Sequence, residues 1–328
     1  MKIIAYAVRS DESAAFKKFS DELNIQVDTV SERLSLDTVE QAKGYDGVAF
    51  LGMCSVNEAV LKKLNEMGIK YIASRSTGYN NVDVKSLKAL NMKLSNATYS
   101  PYCVADFTVM LILMAIRKMK SMIKRNDADD YSLAGIQGKE MHNLTFGIIG
   151  TGRIGAATAD NLSGFNGKIL GYDLYPNKEL ESKLTYVDLD TILKESDVIS
   201  LHAPYLESTH HLLNKENLLK TKKGVVIINC ARSELIDIDA LIEMVENGHI
   251  GACGLDVFPN ELGIIHTDNR LNIVNNHQLA ILKQHKNVIV TGHSAFYTDQ
   301  AVSDMVEVAL RSLKSFIESD NSKWEIKL

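Results

Sequence analysis

The stretch TFGIIGTGRIGAATADNL, Thr145 to Leu162, decides the fold. It opens with a short apolar run, turns on a cluster of glycines and continues in helix-forming residues, which is the order strand, turn, helix. Gly150, Gly152 and Gly155 form GxGxxG directly after the strand. In such a loop the first glycine permits the tight turn, the second lets backbone approach a pyrophosphate, and the third lets helix and strand pack closely. The helix N-terminus adds N–H donors and a positive dipole for phosphates. Asp173 ends the next strand-like run, KILGYD, 18 residues beyond Gly155. A carboxylate there meets ribose hydroxyls and repels a 2′-phosphate, so the motif predicts NAD rather than NADP.

Loops of this kind commonly open a domain, yet here 144 residues come first. A chain of 328 residues with 45% hydrophobic content exceeds one typical domain of about 100–200 residues, so two domains are expected. The first hundred residues alternate strand-like and helix-like segments: KIIAYAV, an amphipathic Ser10–Leu23, DGVAFLG, SVNEAVLKKLNEMG with Ser55 as the expected N-cap and Gly68 as the stop, then YIASR and VKSLKALN. From Thr145 the rhythm restarts with FGIIG, KILGYD, DVISLHAP, GVVIINCA, a helix from Asp239, GACGLDV and NVIVTGH. Its later strands are continuous apolar runs, as in parallel sheets covered on both faces. One more helix, from about Thr298 to Ile317, is left over. The expected fold is α/β, two doubly wound parallel-sheet domains, the second Rossmann-like. A dinucleotide domain over 101–298 is inserted into a substrate domain built from 1–100 and 299–328.

Composition narrows the function. The net charge of −5 gives no pull toward nucleic acid or an anionic membrane. The basic run Arg117, Lys118, Lys120, Lys124 and Arg125 reads as a solvated helix end. The longest apolar run, Phe107–Ile116, is about half a bilayer span and reads as a buried helix. MKIIAYAV at the start is followed by Arg9, Asp11 and Glu12 and reads as the first strand rather than a signal peptide, so the chain is expected to be cytoplasmic. Cys54, Cys103, Cys230 and Cys253 form no CxxC pair, so neither disulfides nor a metal site is expected.

Three further stretches, NCARSELIDIDALI, GLDVFPNEL and VTGHSAFYT, join the glycine loop. Together they resemble the D-specific 2-hydroxyacid dehydrogenases, and the D-lactate dehydrogenase branch in particular. YIASRSTGYNNVD and YSPYCVADFTVMLILMAIRKMKS are similar to the same branch, so the likeness covers nearly the whole chain. It implies an inserted Rossmann domain, a smaller flavodoxin-like substrate domain made from both chain ends, a cleft between the two, a homodimer, and a small 2-oxo or 2-hydroxy acid as substrate. Because hydride transfer benefits from excluding water, domain closure is expected, hinged near Tyr99–Tyr102 and Ala295–Asp299 where the chain crosses between domains.

Reducing a 2-oxo acid requires a cation for the carboxylate, a proton donor for the carbonyl oxygen and a group that keeps the donor protonated. Arg232 follows the strand GVVIINCA, at the edge where open α/β sheets bind ligands, and its planar fork can hold a carboxylate bidentately. Of nine histidines, His293 ends a strand and lies in HSAFYT, matching the family's acid–base residue. Glu261, 29 residues beyond Arg232, matches the glutamate that the family pairs with it. Ser233, Pro259 and Gly292 depart from the usual glycine, acidic residue and proline. The resemblance places Thr77, Gly78, Tyr99 and Tyr297 at the substrate, and LGMCSVN, which lacks any cation, beside a neutral substrate side chain. Further cofactor contacts carry over to Arg153, Ile154, Ala203, Pro204, Thr209, Cys230, Ala231 and Asp256. A rival from another class is an NAD-sensing corepressor-like protein, disfavoured by termini without disordered extensions.

Overall fold

The structure, a computed structural model, describes residues 1–327. The chain divides into two compact units, Met1–Ser100 with the segment from Tyr297 onward, and Pro101–Phe296.

The first unit is a five-stranded parallel sheet of β1 (Lys2–Ala5), β2 (Gln26–Thr29), β3 (Gly47–Phe50), β4 (Tyr71–Ser74) and β5 (Lys93–Ser95), in the order β2-β1-β3-β4-β5. That is the flavodoxin-like winding. The C-terminal helix Asp299–Ser319 starts where the Thr298 hydroxyl accepts from Ala301 N. It returns to this sheet, burying Val306, Leu310 and Leu313 in one core with Ile3, Ala5, Ala49 and Ala73. Its Phe316 ring stacks on Tyr71 at 5.6 Å.

The N-cap of the helix Glu58–Glu66 is Asn57 rather than Ser55, its side chain accepting from Val60 N. Both residues are capping types. The tertiary structure chooses, because Ser55 N donates to Leu34 O and Val56 bridges Val82, which keeps the chain extended through Val56. The same effect moves the helix expected from Asp239. Ile236 bridges Leu213, and Asp237 then caps the helix Ile238–Glu246.

The second unit is a seven-stranded parallel sheet of β6 (Thr145–Ile149), β7 (Lys168–Tyr172), β8 (Thr185–Tyr186), β9 (Val198–Leu201), β10 (Val225–Asn229), β11 (Ile250–Leu255) and β12 (Val288–Val290). The order is β12-β11-β10-β9-β6-β7-β8. Counted from β6, this is the 3-2-1-4-5-6 winding of dinucleotide-binding sheets with one strand added. Every residue of β9 and β10 is buried, as helix-covered parallel strands require.

The apolar run Phe107–Ile116 lies within the helix Tyr102–Ile116, which buries Leu111 and Ile112 against Ile148, Val226 and Ile228 of this sheet. No helix among the described residues is long and apolar enough to cross a membrane. The basic run behind that helix is more than a solvated face. Lys120 Nζ donates to the carbonyls of Lys283, His285 and Val288, tying the helix Met119–Asn126 to the start of β12.

Candidate active site

Strand order reverses between β6 and β9, and there the sheet leaves a crevice at its carboxyl ends. Gly150 follows β6 with φ +90, and a Cβ on it would lie 2.6 Å from Ala203 N. A Cβ on Gly155 would lie 2.0 Å from Gly150 O. Side chains are excluded at both positions by backbone. Gly152 is different: it caps the helix Arg153–Ser163, and a Cβ there would meet nothing within 4 Å. The chain thus holds a cradle beside a helix N-terminus, whose first-turn N–H groups, Ile154's among them, lack an acceptor within the helix. Asp173, directly after β7, reaches this loop, its Oδ2 accepting from Thr151 N at 2.6 Å. Loop, helix end and acid fit a dinucleotide.

Ala203 and Pro204 follow β9 at the same edge. Thr209 closes their loop: its hydroxyl donates to Pro204 O at 2.8 Å and accepts from Leu206 N at 2.8 Å. Cys230 and Ala231 follow β10. Burial pushes the Cys230 thiol up to about 12, so it stays protonated and is no nucleophile.

Arg232 is half-buried, and among the described residues one of its five N–H donors is engaged, Nη1 to Ala231 O at 2.7 Å. The remaining donors can meet a carboxylate. Its turn is held by buried Asn229, which accepts from Ala231 N at 2.9 Å and donates to Arg232 O at 2.8 Å. Sequence reading missed Asn229, whose only signal is a polar residue closing an apolar strand. Ser233 is buried with its hydroxyl on Glu234.

His293 Nδ1 lies 2.6 Å from Glu261 Oε1, and Glu261 Oε2 is buried with no hydrogen-bond partner among the described residues. A carboxylate only accepts, so Nδ1 carries a proton and Nε2 is the nitrogen that can hand one over. The backbone of His293 is left-handed, φ +59, directly after Gly292 at φ +76. Gly292 therefore departs from the family's proline for a backbone reason, since proline is locked near −65°. Pro259 O accepts from Asn276 Nδ2 at 2.7 Å, latching the segment that carries Glu261.

Asp256 is placed under this turn rather than facing open space. It is 1% exposed, and its carboxylate accepts from Thr291 Oγ1 (2.6 Å), Ser294 N (2.8 Å) and Ala295 N (2.9 Å), while its backbone O accepts from His293 N at 2.5 Å. His266, also unforeseen, donates from Nε2 to His293 O at 3.0 Å. Among the described residues no three His, Cys, Asp or Glu side chains gather as metal ligands.

In the first unit, Thr77 Oγ1 donates to Ala97 O at 3.1 Å, and Asn96 Nδ2 donates to Thr77 O at 2.7 Å. Gly78 O accepts from Ser76 Oγ at 3.0 Å. This loop is anchored by Arg75, fully buried, which donates to Glu12 Oε1 at 2.9 Å and to Tyr6 O at 2.9 Å. Tyr99 is half-buried, and Tyr297 is exposed with the Arg9 guanidinium 5.5 Å above its ring.

A family model, D-isomer specific 2-hydroxyacid dehydrogenase, NAD binding domain, matches residues 109–295. An aromatic 2-oxoacid reductase of Clostridium sporogenes is 42% identical over 96% of each chain. A D-lactate dehydrogenase of Lactiplantibacillus plantarum is 38% identical over 100% of this chain and 99% of its own. The crystal structure of a D-lactate dehydrogenase from Treponema pallidum superposes with a TM-score of 0.93 at 31% identity over 100% of both chains. The chain belongs to the D-isomer specific 2-hydroxyacid dehydrogenases and is an NAD-dependent oxidoreductase.

Proposed function

We propose that the protein reduces pyruvate to D-lactate, with His293 as the proton donor and Arg232 as the anchor of the substrate carboxylate. The observation that carries this reading is the 2.6 Å contact of Glu261 with His293 Nδ1, on the same sheet edge as the glycine cradle. Gly150, Gly152, Gly155 and the first turn Arg153–Ile154 hold the pyrophosphate, and Asp173 holds the adenosine ribose. Ala203, Pro204, Thr209, Cys230, Ala231 and Asp256 shape the rest of the cofactor site. Bound NADH supplies the hydride. Arg232 fixes the carboxylate so that the adjacent carbonyl is polarised. His293 Nε2 gives its proton to the carbonyl oxygen, and Glu261 balances the imidazolium charge beforehand. To the first unit we assign substrate contacts by Thr77, Gly78, Tyr99 and Tyr297.

A second reading is a larger neutral 2-oxo acid such as phenylpyruvate. It is favoured by the 42% identity to an aromatic 2-oxoacid reductase; the absence of lysine or arginine from Leu51–Asn57 suits the neutral side chain of either acid. We further infer a homodimer, supported by an apolar groove of about 800 Å³ lined by Met110, Leu113, Met114, Met119, Met122 and Phe165. Four free cysteines support a reducing cytoplasm.

The test is NADH oxidation with pyruvate, phenylpyruvate and 2-oxoisocaproate in parallel, with Arg232→Ala and His293→Ala as controls. Removing the proton donor is expected to cost about 10²–10⁴-fold in turnover. A pyruvate preference supports the first reading and a bulky-acid preference the second. NADH binding without turnover on any acid overturns both in favour of an NAD-sensing protein.

A further inference from the structure

We propose that Thr151 and Tyr186 are positioning residues that lock the Asp173 carboxylate in the orientation that accepts a ribose hydroxyl and refuses a 2′-phosphate. The proposal rests on the assignment of Asp173 to the ribose. Thr151, the middle residue of Gly150–Gly152, is 4% exposed, and Tyr186 sits on the edge strand β8, 35 residues away. Besides its N–H, Thr151 places Oγ1 3.1 Å from Asp173 Oδ2. The Tyr186 hydroxyl lies 2.9 Å from Thr151 Oγ1, and Asn177 N donates to the Tyr186 oxygen at 2.9 Å.

The direction of this chain is fixed at both ends. A backbone N–H only donates, and an ionised carboxylate only accepts. One assignment makes every contact a hydrogen bond: Asn177 N–H to Tyr186, Tyr186 O–H to Thr151, Thr151 O–H to Asp173. Hydrogen bonds aligned head to tail polarise one another, so the last donor, the one that meets the carboxylate, is strengthened by the two behind it.

Counting lone pairs gives the consequence. A carboxylate offers about four acceptor sites. Thr151 N and Oγ1 occupy both on Oδ2, and Tyr175 N takes one on Oδ1 at 2.9 Å. The site left over is on Oδ1, and it accepts one hydroxyl proton. A 2′-phosphate arrives as an acceptor with about −1.5 to −2 charge and meets a carboxylate whose two oxygens are both held, so it cannot swing aside. Discrimination then comes from the immobility of the charge as well as from its presence.

The test is the dissociation constant of NADH and of NADPH, measured by fluorescence titration without substrate, for Tyr186→Phe, Thr151→Val, Thr151→Ser and Asp173→Ala. Tyr186→Phe keeps the ring and Thr151→Val keeps the volume, so both fold. Hydrogen bonds to charged groups are individually strong, and the NADPH-to-NADH ratio is expected to narrow roughly threefold to thirtyfold, more for Thr151→Val than for Tyr186→Phe. Thr151→Ser, which retains the hydroxyl, restores it. If Asp173→Ala narrows the ratio while Tyr186→Phe and Thr151→Val leave it at the wild-type value, the relay is overturned and the ribose assignment stands. If Asp173→Ala also leaves it unchanged, the ribose assignment falls and the relay falls with it.

Discussion

Gly152→Ala and Gly155→Ala add the same methyl group to the same loop, and the geometry assigns them opposite losses. At Gly155 the new Cβ lies 2.0 Å from the carbonyl oxygen of Gly150, a backbone atom with no rotamer to retreat into. Strand and helix must open by more than an ångström, an overpacking that costs about 3 kcal/mol, the upper end for inserted methylenes. In a unit of this size that is a fall of roughly 6–12 °C in melting temperature. At Gly152, φ −64 and ψ −166 are angles alanine adopts, and the Cβ meets no protein atom within 4 Å. Its melting temperature is expected to stay within about 2 °C of the wild type. The methyl instead fills the cradle where a phosphate oxygen must approach. Losing one or two charge-assisted hydrogen bonds there weakens NADH binding by about tenfold to a hundredfold. Thermal melting by circular dichroism and NADH titration on the same preparations measure both losses. Wild-type NADH affinity in Gly152→Ala would refute the pyrophosphate assignment, and a wild-type melt for Gly155→Ala would refute the packing argument.

Asp256→Asn leaves one acceptor oxygen for three donors and sets an amide N–H₂ against the N–H of Ser294 or Ala295. The turn bearing His293 loosens, so kcat should fall at least about tenfold and stability by roughly 2–3 kcal/mol; an unchanged kcat would deny the carboxylate its positioning role. Burial pushes the His202 imidazole down from 6.5 to about 4. The unfolded chain therefore binds the proton first as pH falls, so stability is lost between about pH 6.5 and pH 4, by at most about 3 kcal/mol and less to the extent that water reaches the ring. Urea unfolding at pH 7 and pH 4.5 should show a smaller pH-dependent loss for His202→Asn than for the wild type. Equal losses would place the acid sensitivity elsewhere.

The two parallel sheets were legible because their signals are local. Continuous apolar runs in β9 and β10 and a glycine triplet after β6 each follow from sterics within a few residues. Helix starts were less legible where two capping residues compete, as at Ser55 and Asn57, since a bridge from Val56 to Val82 decides between them. A lysine run likewise conceals which member is structural. Only the fold brings the Lys283, His285 and Val288 carbonyls to Lys120.

The site divides along the same line. Arg232 and His293 stand out as polar residues at the ends of apolar strands, but the groups that aim them come from elsewhere in the chain. His293 holds a left-handed backbone, a conformation that costs a non-glycine residue roughly 1 kcal/mol or more. Within the turn Ser294 Oγ donates to Thr291 O at 3.0 Å. From outside it comes Asp256, whose carboxylate collects the N–H groups of Ser294 and Ala295 and whose carbonyl collects that of His293, with His266 holding the His293 carbonyl in turn. Gly292 makes the same turn possible by adopting φ +76, a value proline cannot reach. The departure from the family pattern at Gly292 and the anchoring by Asp256 are thus two halves of one solution. The flexible residue admits the turn, and the buried carboxylate selects it. A sequence displays the first half as a missing proline, while the second exists only once β11 and β12 lie side by side, with Leu255 opposite Val290.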